Sequence, residues 1–312
     1  MGGEPERARR AVGACRARLC TLTLVDGNSA RTQPRPDEEF DRPVLPDLSD
    51  DRPIEASLVE AFARDGHCRV DGLAAADEVA AYRYSILKAA DQCRYDHRPL
   101  EARDTYGKAF LQCMNLWRVD PVVEAFVTAQ RFAHVAAQLL GVEGVRLYHD
   151  QALVKEGHGG PTPWHQDQHY WPLDTDRTVT MWMPLRDVDQ AVGSMTFASG
   201  SHLLGDLGGH EIGDSSQAHF EQLVIDRDLP LATHGALRAG DATFHAGWTL
   251  HSTAPNPTKE DRPVMTVIYF ADGTRILDDV SDASRAFDLT MWLSGCEPGG
   301  PAAGPGNPVL WP

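Results

Sequence analysis

Near Gly144 the hydrophobic pattern of this chain changes period, and that change limits the folds open to it. Before it, apolar residues recur at helical spacing. Ile54, Leu58, Val59 and Phe62 lead into Asp65-Gly66, which predicts a helix with a glycine stop. His67 to Val70 reads as a short strand, and residues 74–90, with Val79, Tyr82, Ile86 and Leu87, as a longer amphipathic helix. Two further helices are expected at 121–128 and 132–140, the second closed by Gly141. Beyond Gly144 the apolar runs are short and separated by Gly, Pro and Asp, predicting strands at 145–154, 179–183, 194–198, 242–245 and 264–270. Regular helices between those strands are missing, which favours an antiparallel arrangement over a parallel α/β sheet. The expected class is α+β, with a jelly-roll (double-stranded β-helix) core at about 145–272 and flanking N-terminal helices.

Residues 1–50 show no sustained periodicity, and the stretch around Pro34, Pro36, Pro43 and Pro46 is rich in acids. Such a composition buries too little to offset its ordering entropy, so 1–50 is expected to be a mobile, disordered leader and 51–312 a single domain. The Gly/Pro-rich tail 295–312 is expected to wrap irregularly, with Trp311 as its anchor. A net charge of -16, from 29 basic and 45 acidic residues, argues against a broad nucleic-acid or anionic-membrane surface. No apolar run approaches the roughly 20 residues that cross a bilayer. The Arg-rich start is followed by a run, Leu19 to Val25, that threonines interrupt and that lacks a cleavage site, so no secretion signal is read. Six scattered cysteines without C-x-x-C pairing fit a reducing, cytoplasmic location.

The chemistry-bearing stretch is Pro163-Trp164-His165-Gln166-Asp167-Gln168-His169-Tyr170. In an extended segment residues i and i+2 share a face, so His165 and Asp167 can converge on one cation. A third ligand must come from elsewhere. His251 and His245 are both candidates, and His169 is another. Two imidazoles, a carboxylate and open positions form the donor set of non-haem Fe(II). Arg262, at the start of an apolar run, can fork onto a carboxylate.

Trp164-His165-Gln166-Asp167-Gln168-His169-Tyr170-Trp171-Pro172, Gly200-Ser201-His202, Gly240-Asp241, His251 and Arg262, in this order and spacing, resemble the phytanoyl-CoA dioxygenase family of Fe(II)/2-oxoglutarate-dependent oxygenases. The resemblance spans roughly Tyr148 to Asp272. It implies that His165, Asp167 and His251 ligate iron, favouring His251 over His245, and that Arg262 binds the distal carboxylate of 2-oxoglutarate. Trp182 and Thr253 fall where the family lines the co-substrate pocket, and Gln151 and Lys155 lie on a strand that contributes to it. The implied cofactor is Fe(II), with 2-oxoglutarate and O2 as co-substrates and succinate and CO2 as co-products. Because Asp167 stands where related halogenases carry a small residue, hydroxylation of an unactivated C–H bond is the default outcome. Desaturation, epimerisation or cyclisation at the same site, and a non-catalytic metal-binding jelly roll, are the alternatives. The expected partner is a free small-molecule substrate of specialised metabolism, since no lysine cluster advertises a coenzyme A site. His169, Tyr170 and Trp171 are the substrate-facing candidates.

Overall fold

A computed structural model describes residues 45–208 and 210–312. The expected leader lies outside the described residues as far as residue 44. Leu45 to Asp50, ahead of the domain start expected at 51, are already packed: Leu48 is buried, the Tyr82 hydroxyl donates to Pro46 O at 2.6 Å, and Arg131 pairs with Asp50 at 2.5 Å.

The helical part comes first. Helix α1 (Ala56–Asp65) stops at Gly66, whose φ of 79° lets its N–H close on Phe62 O. Strand β1 (His67–Val70) and helix α2 (Ala76–Gln92) follow, then a short α3 (Thr105–Ala109) and β2 (Leu111–Met114). Helix α4 (Pro121–Val127) begins with proline in its first turn, and the Asp120 carboxylate accepts from Val122 N at 2.8 Å. Helix α5 (Gln130–Leu140) ends at left-handed Gly141.

The strands then accumulate: β3 (Val145–Lys155), β4 (Thr162–His165), β5 (Thr178–Pro184) and β6 (Met195–Ala198), followed by helix α6 (Asp214–Asp226). They continue as β7 (Leu231–Thr233), β8 (Ala242–Ala246), β9 (His251–Thr253) and β10 (Arg262–Ala271). Helix α7 (Ala283–Trp292) and β11 (Val309–Trp311) complete the chain. One sheet has the order β1-β8-β5-β10-β3-β11, with β2 also paired to β3; a second has the order β4-β9-β6-β7. Every pairing between these strands is antiparallel, as the jelly-roll expectation requires.

Alternation along the large sheet sorts its residues between two surroundings. Val179, Met181 and Met183 of β5, Ala242, Phe244 and Ala246 of β8, and Met265, Val267 and Tyr269 of β10 join the core formed with α1, α2, α4 and α5. The intervening residues, among them Thr180, Trp182, Thr243, His245 and Thr266, lie on the opposite face because side chains alternate along a strand. The helices thus cover one face and leave the other for the site.

The tail departs from the irregular wrap expected of it. Val309 pairs with Arg146 and Trp311 with Val145, so β11 extends the large sheet, and the Trp311 ring stacks on His134 at 4.1 Å. A three-residue strand has too little sequence for a period to register. Helices α6 and α7 were also not legible. Alpha-6 buries only Ser216, Phe220 and Val224, and α7 buries Ser284, Asp288 and Trp292, stripes in which polar residues occupy buried positions. Asp288 is held there by the Tyr148 hydroxyl, which donates to it at 2.9 Å.

Gly240 marks one close approach. Its φ is +93°, its carbonyl accepts from Ala74 N at 3.0 Å, and an added Cβ would run into the Ala74 carbonyl oxygen. Gly240→Ala therefore combines backbone strain with a backbone clash, and is expected to cost about 2–4 kcal/mol. The urea midpoint should fall accordingly with an unchanged m-value.

Candidate metal centre and anion pocket

Strand β4 ends at His165, and its register places His165 opposite His251 of β9. Gln166 is extended, with φ -117° and ψ 125°, and a 3-10 turn at Asp167–Tyr170 follows at once. The extended residue keeps the side chains of His165 and Asp167 on one side. Asp167 Oδ1 lies 3.5 Å from His165 Nε2 and 3.8 Å from His251 Nε2. Ligand atoms of these three residues all fall within 4.8 Å of one another, the spacing of a cation site. They are the only such group among the described residues.

The far nitrogens of both rings are fixed. His165 Nδ1 meets Pro163 O at 2.8 Å, and His251 Nδ1 meets Thr249 O at 2.9 Å. A carbonyl can only accept, so the proton sits on Nδ1 and the Nε2 lone pair of each ring is turned toward Asp167. Burial pushes the His251 imidazole well below its ordinary pKa, and His165 and His245 beside it act the same way. Burial alone would raise the Asp167 carboxyl; the imidazoles around it, His251 first, outweigh that and hold it well below the usual carboxylate range. Neutral His251 beside ionised Asp167 suits a divalent cation.

The second part of the site carries the opposite charge. Arg262 opens β10 opposite Lys155, the last residue of β3. Both are buried, and among the described residues neither has an acidic partner. The Arg262 guanidinium donates to Gly193 O and lies 5.0 Å from the centre of the Trp182 ring, while its Nε is buried with no partner. Lys155 Nζ donates to Gly160 O at 2.5 Å. Burial lowers Arg262 to about 9; burial, with Arg262 alongside, lowers Lys155 to about 6. A buried guanidinium beside an amine that burial holds largely uncharged near neutral pH is costly unless an anion joins them, and an anion there would also favour protonation of the amine.

The remaining expected residues divide. Trp182 and Thr266 face each other across β5 and β10, and Thr266 also pairs with Gln151, so these three share a row with the anion pocket's strands. The Gln151 side chain accepts from Gln112 at 2.8 Å, and the Thr253 hydroxyl donates to Thr162 at 2.7 Å. Trp171, expected to face the substrate, is 4% exposed, and its ring lies 5.3 Å from that of Tyr148 within an apolar cluster. Tyr170 OH accepts from Ile212 N at 3.1 Å, and His169 O accepts from Arg285 at 3.2 Å, tying the turn to neighbouring segments. His169 Nδ1 is buried without a partner.

The parts played by Gln166 and Thr180 escaped the sequence, and His245 was expected only as a competing ligand. Gln166 is buried and its amide bridges outward, donating to Trp248 O at 2.6 Å and Gly205 O at 2.9 Å while accepting from Leu207 N. Thr180 and His245, paired across β5 and β8, both reach Asp167 Oδ2, at 3.0 and 3.1 Å. No spacing in the sequence could announce this, because strand register alone brings the two side chains together.

A family model described as Phytanoyl-CoA dioxygenase (PhyH) matches residues 62–264. The chain belongs to this family. Its relatives include a probable alpha-ketoglutarate-dependent hypophosphite dioxygenase of Stutzerimonas stutzeri, 23% identical over 66% of this chain and 75% of that protein. The ectoine dioxygenase of Streptomyces anulatus is 25% identical over 70% of this chain and 78% of its own. Among solved structures, the epimerase SnoN in complex with Fe3+, alpha ketoglutarate and nogalamycin RO superimposes with a TM-score of 0.66 at 27% identity, covering 81% of this chain and 97% of that one. The alpha ketoglutarate-dependent carbocyclase SnoK from nogalamycin biosynthesis gives 0.66 at 23% identity, covering 82% and 96%. No helix among the described residues is long and apolar enough to cross a membrane.

The lowered amine gives a direct check. Between about pH 6 and about pH 10 the unfolded chain carries a proton on Lys155 that the folded chain lacks, so this residue makes stability rise with pH by up to about 1.4 kcal/mol per unit. Urea midpoints of the ligand-free protein measured from about pH 6.5 to about pH 8.5 should climb more steeply for wild type than for Lys155→Met.

Proposed function

We propose that this protein is an Fe(II)- and 2-oxoglutarate-dependent oxygenase whose default reaction is hydroxylation of an unactivated C–H bond in a small molecule. The observation that carries the reading is the uncompensated Arg262–Lys155 pair in a protein that also holds a His-Asp-His cluster. A His-Asp-His set by itself suits several divalent ions. A buried guanidinium beside an amine that an anion would protonate adds the demand for an anion, and a keto dicarboxylate answers both requirements with one molecule.

In this reading His165, Asp167 and His251 hold the iron. With iron bound there, 2-oxoglutarate and O2 would supply an oxidant able to remove a substrate hydrogen, with succinate and CO2 as co-products. The chain's own residues bind and exclude. Arg262 offers its free Nε and fork to the distal carboxylate, Lys155 adds a second positive charge, and the Trp182 face holds the guanidinium plane in place. Thr253 and Gln151 complete the lining of the co-substrate pocket. The buried walls Val264, Phe197 and Met195 keep water from the anion and strengthen every charge contact inside. His169 and Tyr170, on the turn that begins with Asp167, are positioned to meet the substrate. A reducing cytoplasm fits the four free cysteines among the described residues, two of them buried.

A second reading begins with the same hydrogen removal and ends in ring formation, with loss of a second hydrogen, or in epimerisation, with a reductant returning a hydrogen to the opposite face. Likeness to the epimerase SnoN and the carbocyclase SnoK favours it, and mass analysis separates it, because only hydroxylation adds an oxygen atom to the product.

Anaerobic addition of Fe(II) and 2-oxoglutarate to the wild type should give a visible metal-to-ligand charge-transfer band, which His165→Ala should abolish. Absence of the band, or of succinate once O2 is admitted, would leave a metal-binding jelly roll without this chemistry. Arg262→Met should retain iron but weaken 2-oxoglutarate by about 100-fold or more, in line with the roughly 2–5 kcal/mol lost when one partner of a buried charge pair is removed. Titration of the same band with 2-oxoglutarate reads that change.

A further inference from the structure

Three imidazoles, not two, crowd around Asp167. The ring of His251 lies 4.1 Å from that of His165 and 4.3 Å from that of His245, and His245 Nε2 is 3.1 Å from Asp167 Oδ2. We infer that His245 is a positioning residue: with Thr180 it holds Oδ2 of Asp167, so that the carboxylate presents Oδ1 alone to the metal. This inference rests on the metal reading given above.

The nitrogen opposite the contact separates the three histidines. His165 and His251 each place Nδ1 on a backbone carbonyl, which must be met by an N–H, and this leaves Nε2 as a lone pair free to ligate. His245 Nδ1 is buried and has no partner among the described residues. Were Nε2 of His245 the ligating lone pair, its Nδ1–H would be a buried donor with nothing to receive it, at a cost of about 1–3 kcal/mol. With the proton on Nε2 the ring donates to Asp167, and only a lone pair is left unmet.

Strand geometry supports the division. His245 of β8 and Thr180 of β5 are cross-strand partners on the large sheet, whereas His165 and His251 are partners on the small one. Asp167 sits between the sheets. Its Oδ1 faces the two nitrogens of the small sheet, at 3.5 and 3.8 Å. Its Oδ2 receives the two donors of the large sheet, from Thr180 Oγ1 at 3.0 Å and from His245 Nε2. A carboxylate engaged on both oxygens in this way cannot swing to chelate through both, and a position on the metal stays open for the co-substrate.

Co(II) titration of the full-length protein, followed by its visible ligand-field absorption without 2-oxoglutarate, tests this apart from turnover. Wild type should bind and His165→Ala should not. His245→Phe should bind about 10–100-fold more weakly, the range found when partners of metal ligands are removed, and with a changed spectrum as Asp167 becomes free to use both oxygens. His245→Gln restores an N–H donor and should return affinity and spectrum toward wild type. Wild-type affinity and spectrum in His245→Phe would overturn the inference, and so would complete loss of binding in His245→Gln, which would make His245 a ligand. Should His245→Phe not fold, Thr180→Val carries the test, and an unchanged Co(II) spectrum there would overturn it. Failure of the wild type to bind Co(II) would instead sink the metal reading itself.

Discussion

Beta-10 is the strand on which the site depends. It pairs with β3 on one side and β5 on the other, and all ten of its residues are buried. Those two ladders set Arg262 against Lys155, and Thr266 against both Gln151 and Trp182. A slip of one residue would turn each of these side chains to the other face and into the helical core. The core prevents it. Met265, Val267 and Tyr269 are committed to α1, α2, α4 and α5 by their apolar burial, and the alternation of the strand does the rest.

The interior is consequently organised by charge. Around Asp167 the donors are imidazole nitrogens and one carboxylate, which suit a cation; around Arg262 a guanidinium and an amine stand without an acid among the described residues. Neither half is comfortable as it stands. Burial depresses both cations because a charge in a poorly polarisable interior is costly. The same burial would strengthen their attraction for an anion, so the cost in the ligand-free protein and the proposed anion binding share one physical origin.

Asp167 shows how the two sheets divide labour. The small sheet contributes nitrogens whose far sides are anchored on carbonyls, while the large sheet contributes donors that hold the carboxylate's other oxygen. Gln166, between the two ligand positions, fastens the motif to the loops at Gly205 and Trp248. A motif of three residues is thereby attached to four separate stretches of chain.

What the sequence by itself determined is whatever depends on neighbours a few residues apart. The helices beginning near Ala56, Ala76, Pro121 and Gln130, and the long strands β3, β5, β8 and β10, were legible because their apolar periods repeat within one segment. His165, Asp167, His251 and Arg262 were legible as a constellation through their order and spacing. The tertiary structure alone decided the rest. Strands β4, β9 and β11 have three or four residues, too few to show a period, and exist because partners distant in sequence complete their hydrogen bonds. The close packing of Leu45 to Asp50, the core position of Trp171, and the contact of His245 and Thr180 with Asp167 arise likewise from contacts between remote segments. Order and spacing already favoured His251 over His245; the fold adds the partner of the far nitrogen, a carbonyl at His251 and none among the described residues at His245.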